Sequence, residues 1–169
     1  MVNAIVQAES KQLMQWLGEV PDPEIPVLSI VDLGIVRNVQ WRDDTCVVTI
    51  TPTYSGCPAM REITEDIRTV LARYGVDDVE VATQLAPAWT TDWMTERGRT
   101  ALGAYGIAAP TQRAIDISGI SRRIDAPVVA CPLCGSRNTR MLSAFGSTAC
   151  KALYRCGDCR EPFDYFKAH

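Results

Sequence analysis

Four of the seven cysteines in this chain of 169 residues fall in two pairs, Cys131-Pro132-Leu133-Cys134 and Cys156-Gly157-Asp158-Cys159, with 21 residues between the pairs. Each Cys-x-x-Cys turn gathers two sulfurs and some backbone N–H groups on one side, and two such turns on neighbouring hairpins complete a tetrahedron with no open position. A closed site of four thiolates stabilises a fold and does not catalyse. The spacing therefore predicts a structural zinc ion held by Cys131, Cys134, Cys156 and Cys159. Rubredoxin-type iron and small iron–sulfur clusters also use paired cysteines and stay open as alternatives. Short strands are expected near residues 138–145, 151–155 and 163–166, too few to build a stable core without the metal.

An odd cysteine count, clustered pairs and an N-terminus with neither a basic start nor a sustained apolar stretch point to a reducing compartment, and the cytoplasm is the expected location. No apolar run approaches the roughly 20 residues that span a bilayer, so no membrane role is expected. The formal net charge of -3 and a pI near 5.2 offer no global attraction to nucleic acid. Charge is nevertheless uneven. Residues 128–169 carry 6 Lys and Arg against 3 Asp and Glu, while residues 1–127 carry 11 against 17. A surplus from Arg137, Arg140, Lys151, Arg155, Arg160 and Lys167 can offset the formal charge of four thiolates around one divalent ion.

Upstream, hydrophobic periodicity gives the outline of a second unit. Ile5, Leu13, Trp16 and Leu17 suggest a helix over 4–17, followed by a loop stiffened by Pro21, Pro23 and Pro26. Two β-branched runs, 35–41 and 45–51, flank Arg42-Asp43-Asp44 and read as a hairpin. Met60, Ile63, Ile67, Val70, Leu71 and Tyr74 define one face of a helix over 58–74, stopped by Gly75. A strand follows within 76–83, and a further helix over 91–104. Strand, helix and strand in this order form a crossover with parallel strands, to which the hairpin adds an antiparallel partner. The expected fold is α+β: a small two-layer α/β sandwich over 1–109, a linker over 110–127 and a C-terminal zinc ribbon over 128–169.

Cys57 stands apart from the paired cysteines. The segment Thr51-Pro-Thr-Tyr-Ser-Gly-Cys57-Pro58 runs into the 58–74 helix, whose N-terminus would favour a thiolate and lower the pKa, while Gly56 would keep its approach open. Cys57 is then either a metal ligand or nucleophile, or a small buried hydrophobe. Asp22-Pro23-Glu24 is either a solvated turn or polar support for chemistry at Cys57. Cys46 alternates within a strand and is expected in the core. Cys150 is a fifth cysteine near the ribbon, a spare thiol or a transfer ligand. His169 is the only histidine, which leaves a Cys-His hydrolase poorly supported.

Taken together, Asp22-Pro-Glu-Ile-Pro-Val, Asp32-Leu-Gly-Ile-Val, Ser55-Gly-Cys-Pro-Ala and Trp89-Thr-Thr-Asp-Trp-Met resemble the iron–sulfur cluster assembly-associated domain over about residues 10–107. With Cys131-Pro-Leu-Cys-Gly and the stretch from Phe145 to Cys156, the resemblance extends along the chain to the accessory proteins of bacterial phenylacetate degradation. It implies an association with the multicomponent phenylacetyl-CoA epoxidase, an oxygenase with a di-iron subunit and a reductase subunit carrying flavin and an iron–sulfur cluster. By that resemblance the chain is an accessory protein and not an enzyme. The family's reactive cysteine carries over to Cys57, and its acidic motif to Asp22 and Glu24. The implied role is insertion of an iron–sulfur cluster, or iron, into the epoxidase, with the iron–sulfur assembly machinery as a further partner and a transient cluster or iron as cargo. The alternative is a docking subunit that handles no metal at Cys57.

Overall fold

A computed structural model describes residues 8–110 and 128–167. The expected linker lies, from residue 111 on, outside the described residues, as do Ile5 and His169. The described chain divides into two compact units, one holding the residues up to Trp89 with Trp93–Gly98, the other Thr90–Asp92 with the residues from Arg99 on. Among the described residues no helix is long and apolar enough to cross a membrane.

In the first unit, helix α1 (Ser10–Leu17) buries Leu13 and Leu17, spaced one turn apart, and leaves Trp16 to stack on Tyr74 at 4.3 Å between ring centroids. The hairpin forms as β1 (Val36–Arg42) and β2 (Thr45–Ile50), with Asp43 in the left-handed region at its turn. Helix α2 (Met60–Arg73) then carries the chain to β3 (Val79–Thr83), which lies parallel to β2 and completes a sheet of order β1-β2-β3. The predicted face of α2 is the buried one, through Ile63, Ile67, Val70 and Leu71. The helix stops as expected at Gly75, with φ of 80°. Its N–H reaches the Ala72 carbonyl and the Val76 N–H that of Leu71, so two carbonyls left over by the last turn find donors. Cys46 is fully buried in β2, as its alternation implied.

Three expectations need correction. Helix α1 begins at Ser10, since Glu9 is extended and residues 8 and 9 are not helical. Helix α2 begins at Met60 and not at Pro58, because residues 57–60 form a turn in which the Met60 N–H reaches back to the Cys57 carbonyl. The single helix expected over 91–104 is a 3-10 turn at Thr91–Trp93 followed by α3 (Glu96–Ala104). The break is caused by Thr95, whose Oγ1 accepts the Gly98 N–H at 3.0 Å and so caps α3 while donating at 2.7 Å to Asp32.

Asp32 is the polar centre of this unit. Only 6% exposed, its carboxylate accepts Ser29 Oγ at 2.8 Å, Thr95 Oγ1 at 2.7 Å and two nitrogens of Arg97 at 2.9 and 2.8 Å. Its carbonyl takes the Thr95 N–H at 2.9 Å. Close by, a Cβ at Gly34 would lie 2.4 Å from the Trp93 carbonyl oxygen, and the φ of 74° there also demands glycine. Arg37 sits 3.4 Å above the Trp93 ring, and Trp89 Nε1 donates to the Leu33 carbonyl at 3.0 Å. The Asp32-Leu-Gly and Trp89-to-Met94 segments are thus two sides of one clamp.

The second unit is a sheet of order β4-β7-β6-β5, made of β4 (Ile107–Ala108), β5 (Thr139–Ser143), β6 (Lys151–Cys156) and β7 (Pro162–Phe166). Strands β5, β6 and β7 match the expected short strands. The two-residue β4, parallel to β7, has no alternation to betray it and was not anticipated. Ala108, Val129, Cys131, Ala152, Tyr154, Cys156, Phe163 and Tyr165 form the core of this unit.

The clamp makes a prediction about stability. Although burial pushes the Asp32 pKa up, its hydrogen bonds from Arg97, Thr95 and Ser29 hold it below the usual carboxylate range. Asp32→Ala should cost about 2–3 kcal/mol at neutral pH, since it removes the charged acceptor shared by buried Ser29, half-buried Thr95 and exposed Arg97. A depressed folded-state pKa contributes stability that is present above the unfolded value and lost as pH falls through the folded one. Urea unfolding of the two proteins should therefore converge under strongly acidic conditions.

Candidate metal centre and cysteine site

The two Cys-x-x-Cys turns are built alike. In the first, Gly135 has a φ of 75° and its N–H meets the Cys131 carbonyl at 2.8 Å; in the second, Arg160 occupies the equivalent place with a φ of 67°. Both turns therefore need a left-handed residue after the second cysteine. The two turns are tied together by polar side chains that the sequence reading missed. Asp158 accepts Ser136 Oγ and, at 2.8 Å, Asn138 Nδ2, and the Gly157 N–H reaches the Asn138 carbonyl at 2.7 Å. A Cβ at Gly157 would lie 2.5 Å from Asn138 Nδ2, so a side chain there would push the turns apart.

This geometry brings the four predicted sulfurs together, all within 4.8 Å of one another. Cys131 and Cys159 are 3.8 Å apart and Cys134 and Cys156 3.6 Å. A tetrahedral zinc ion with Zn–S bonds of about 2.3 Å requires sulfur–sulfur edges of about 3.8 Å. Two edges match that length and all lie within 4.8 Å, so the donor set fits zinc with at most small shifts of the sulfurs. Cys150 is buried in contact with Thr148 Oγ1 at 3.0 Å and lies outside the four-sulfur group.

Backbone N–H groups help to grade three of the thiols. The Cys159 N–H, ahead of burial and of the Asp158 N–H, brings Cys156 down to about 6. At Cys159 the Glu161 N–H acts in the same sense, but burial and hydrogen bonds with the other three thiols push the group up to about 12. The Ser136 N–H favours a Cys134 thiolate, yet its hydrogen bond with Cys156 and burial leave its pKa raised. Of these three, Cys156 is the thiol that carries charge at neutral pH without metal.

Cys57 lies two residues before the helix cap at Ala59, half-buried, with its N–H on the Tyr54 carbonyl at 3.2 Å. A Cβ at Gly56 would meet nothing within 4 Å, so the surface beside the thiol is open. The expected low pKa is not found. Burial is the largest influence and raises it; the Ala59 N–H and the Tyr54 side chain oppose this, and the charges of Glu24 and Asp22 raise it further. The acidic loop is therefore next to the thiol, and it disfavours the thiolate. Asp22 also has a local task, since its Oδ1 accepts the N–H groups of Glu24 at 3.0 Å and Ile25 at 2.8 Å and shapes the loop. Among the described residues, the ribbon cysteines alone converge as a group of three or more metal-ligating side chains; Cys57, Asp22 and Glu24 do not.

Residues 10–83 match a family model described as iron-sulfur cluster assembly protein, and residues 118–167 one described as PaaD zinc beta ribbon domain. A protein of Escherichia coli strain K12 named as a putative subunit of 1,2-phenylacetyl-CoA epoxidase is 49% identical over 164 residues, 96% of this chain and 95% of that protein. An Fe-S protein maturation auxiliary factor of Porphyromonas gingivalis is 39% identical over 105 residues, 61% of this chain and 98% of its own length. Among solved structures, a domain of unknown function from Bacillus anthracis is 33% identical with a TM-score of 0.52, covering 56% of this chain and 91% of its own.

Two outcomes follow for the four-sulfur site. Because Cys134 and Cys159 are protonated at neutral pH, zinc binding should expel at least two protons. Near pH 7 the apparent zinc affinity should fall at least about hundredfold per unit of pH lowered, tenfold for each proton. Chelator competition in buffers bracketing pH 7 measures the slope. At Arg160, replacement by Gly should stabilise the zinc form by about 1 kcal/mol, since the left-handed conformation costs a side chain about that much, as read from thermal unfolding.

Proposed function

Because the chain belongs to the iron–sulfur cluster assembly protein family and ends in a PaaD-type zinc ribbon, we propose that it is an accessory maturation factor of a multicomponent phenylacetyl-CoA epoxidase. It promotes insertion of an iron–sulfur cluster, or of iron, into that complex and does not catalyse the oxygenation. The observation that carries this reading is the pairing of the two matches in one chain. The part that matches the iron-sulfur cluster assembly family, residues 10–83, holds Cys57, Asp22 and Glu24, and the chain as a whole, ribbon included, is shared with a relative named as an epoxidase subunit.

Cys57 is the group through which cargo would pass. At rest the thiol is neutral, since burial and two carboxylates disfavour the anion. An arriving ferrous ion, or the cationic core of a cluster, reverses that balance: the carboxylates now attract the cargo, the S–H proton is released to solvent, and a sulfur–iron bond forms. One sulfur beside an open surface holds such cargo weakly, which suits a donor. The ribbon zinc is resident and supplies no chemistry. The second reading, a docking subunit that handles no metal at Cys57, is favoured by the lack, among the described residues, of a converging ligand set around that thiol. Both readings fit a soluble chain in the cytoplasm, with epoxidase subunits as partners.

Cys57→Ser separates them. In cells lacking the native protein it should leave a folded, zinc-loaded accessory protein and an epoxidase deficient in its iron-containing centre, measured by iron content and oxygenase turnover. Full iron loading with the variant would leave the docking reading standing. Glu24→Gln adds an independent sign: removing that charge should lower the Cys57 pKa and speed its alkylation by iodoacetamide at neutral pH, while client activation falls. Faster alkylation with unimpaired activation would deny the carboxylate a role toward cargo.

A further inference from the structure

Strand β5 is the outer strand of the ribbon sheet. Among the described residues it pairs with β6 alone, so its other edge has no strand partner. Edges of this kind template pairing with another chain, and proteins blunt them with charge, proline or a covering element. Here the strand carries one charge, Arg140, and a bulge between Met141 and Ser143, but its other large side chains are apolar: Met141 and Leu142 are 42% and 44% exposed, and Phe145, just past the strand, is 68% exposed.

The charges around it are unbalanced. Arg140 stands directly opposite Arg155 of β6, and both are exposed. Like charges so placed destabilise a sheet. The ion pairs among the described residues lie elsewhere, at Arg42–Glu80, Arg61–Glu65 and Arg97–Asp32. Asp158 is engaged with Ser136 and Asn138, and Asp164 with Ser147. Exposed Arg137 adds a third cation before the strand.

Strand geometry then selects the occupant. A segment laid along β5 places one residue beside Arg140, on the face shared with Arg155, and the next beside Met141 on the other face. A carboxylate at the first and an apolar side chain at the second satisfy both. We propose that β5 is a docking edge for an extended acidic segment of a partner protein, which joins the sheet as a fifth strand with carboxylates on Arg140 and Arg155 and alternate apolar residues against Met141. Leu142 and Phe145 extend the apolar contact. A polynucleotide could meet the arginines but would leave these three side chains in water, and the chain's net charge of -3 opposes it. A second copy of this chain would bring one arginine pair onto another. The inference stands apart from Cys57 and requires no metal transfer.

The test uses the full zinc-loaded chain and a fluorescent ten-residue peptide alternating glutamate with valine, read by anisotropy. Binding should be at least about tenfold tighter than for the lysine–valine counterpart, and should weaken at least about tenfold with the Arg140→Glu, Arg155→Glu variant. N-methylation of alternate peptide nitrogens, in whichever of the two registers faces β5, should abolish it, because the strand hydrogen bonds are then lost. The exposed substitution Phe145→Ser should weaken binding while zinc content and thermal unfolding stay unchanged, so loss of fold cannot imitate the result. Equal binding of the lysine peptide, no effect of the arginine reversal, or tighter binding of a duplex oligonucleotide of equal charge would overturn the proposal. So would a concentration-dependent dimer that Leu142→Glu dissolves, since the edge would then be covered by a second copy.

Discussion

Four sulfurs within 4.8 Å of one another are an unstable arrangement in water unless something positive stands among them. The competition is visible in the thiols themselves, with Cys156 held down to about 6 while Cys159 is pushed up to about 12. A divalent ion ends that competition, because every sulfur can then carry charge at once. In this ribbon the consequence reaches past the site. Cys131 and Cys156 belong both to the four-sulfur group and to the eight-residue core cluster. The packing of Tyr154, Phe163 and Tyr165 therefore shares two residues with the site that would hold the metal. Coordination there would be coupled to core formation.

The first unit meets the same difficulty, a small sheet with long irregular segments, by a different means. Its organising group is a single buried carboxylate whose acceptor positions are filled by Ser29, Thr95 and Arg97. Directional bonds make the arrangement specific: Thr95 can cap α3 and reach Asp32 only if the chain turns where it does. Hydrophobic burial of Ile63, Ile67 and Leu71 supplies attraction without that selectivity. The close approach of Gly34 to the Trp93 carbonyl shows how tightly the two sides of the clamp fit.

How much of this could be read beforehand depends on whether the deciding interaction is local. The α2 face, the Gly75 stop and the hairpin are written in residues three, four or two apart, and they fold as read. The convergence of the four sulfurs was legible because coordination geometry forces a spacing. The break before α3 was not, since Thr95 acts as a cap through a contact with Asp32 that lies 63 residues earlier. Strand β4 was missed because two residues cannot display a period. The bridge of Ser136, Asn138 and Asp158 had only a weak signal: small polar residues placed in and just after the two turns, one of them beside a glycine.

The misjudged pKa of Cys57 is the most instructive case, because the rule applied was sound and the wrong force prevailed. A helix start does favour a thiolate, and the Ala59 N–H acts in that sense. Burial and the charges of Glu24 and Asp22 outweigh it. The contrast with the ribbon is chemical. There, N–H donors from Ser136, Asp158, Cys159 and Glu161 support sulfur anions in a closed set of four, an environment that binds a metal and keeps it. Around Cys57 a single backbone donor faces two carboxylates, and the surface beside Gly56 is open. Such a thiol stays neutral at rest. In the transfer role proposed for it, it would ionise as a cation approached and regain its proton as the cation left. One chain thus holds sulfur in two electrostatic settings, a closed set of four and a single thiol beside carboxylates.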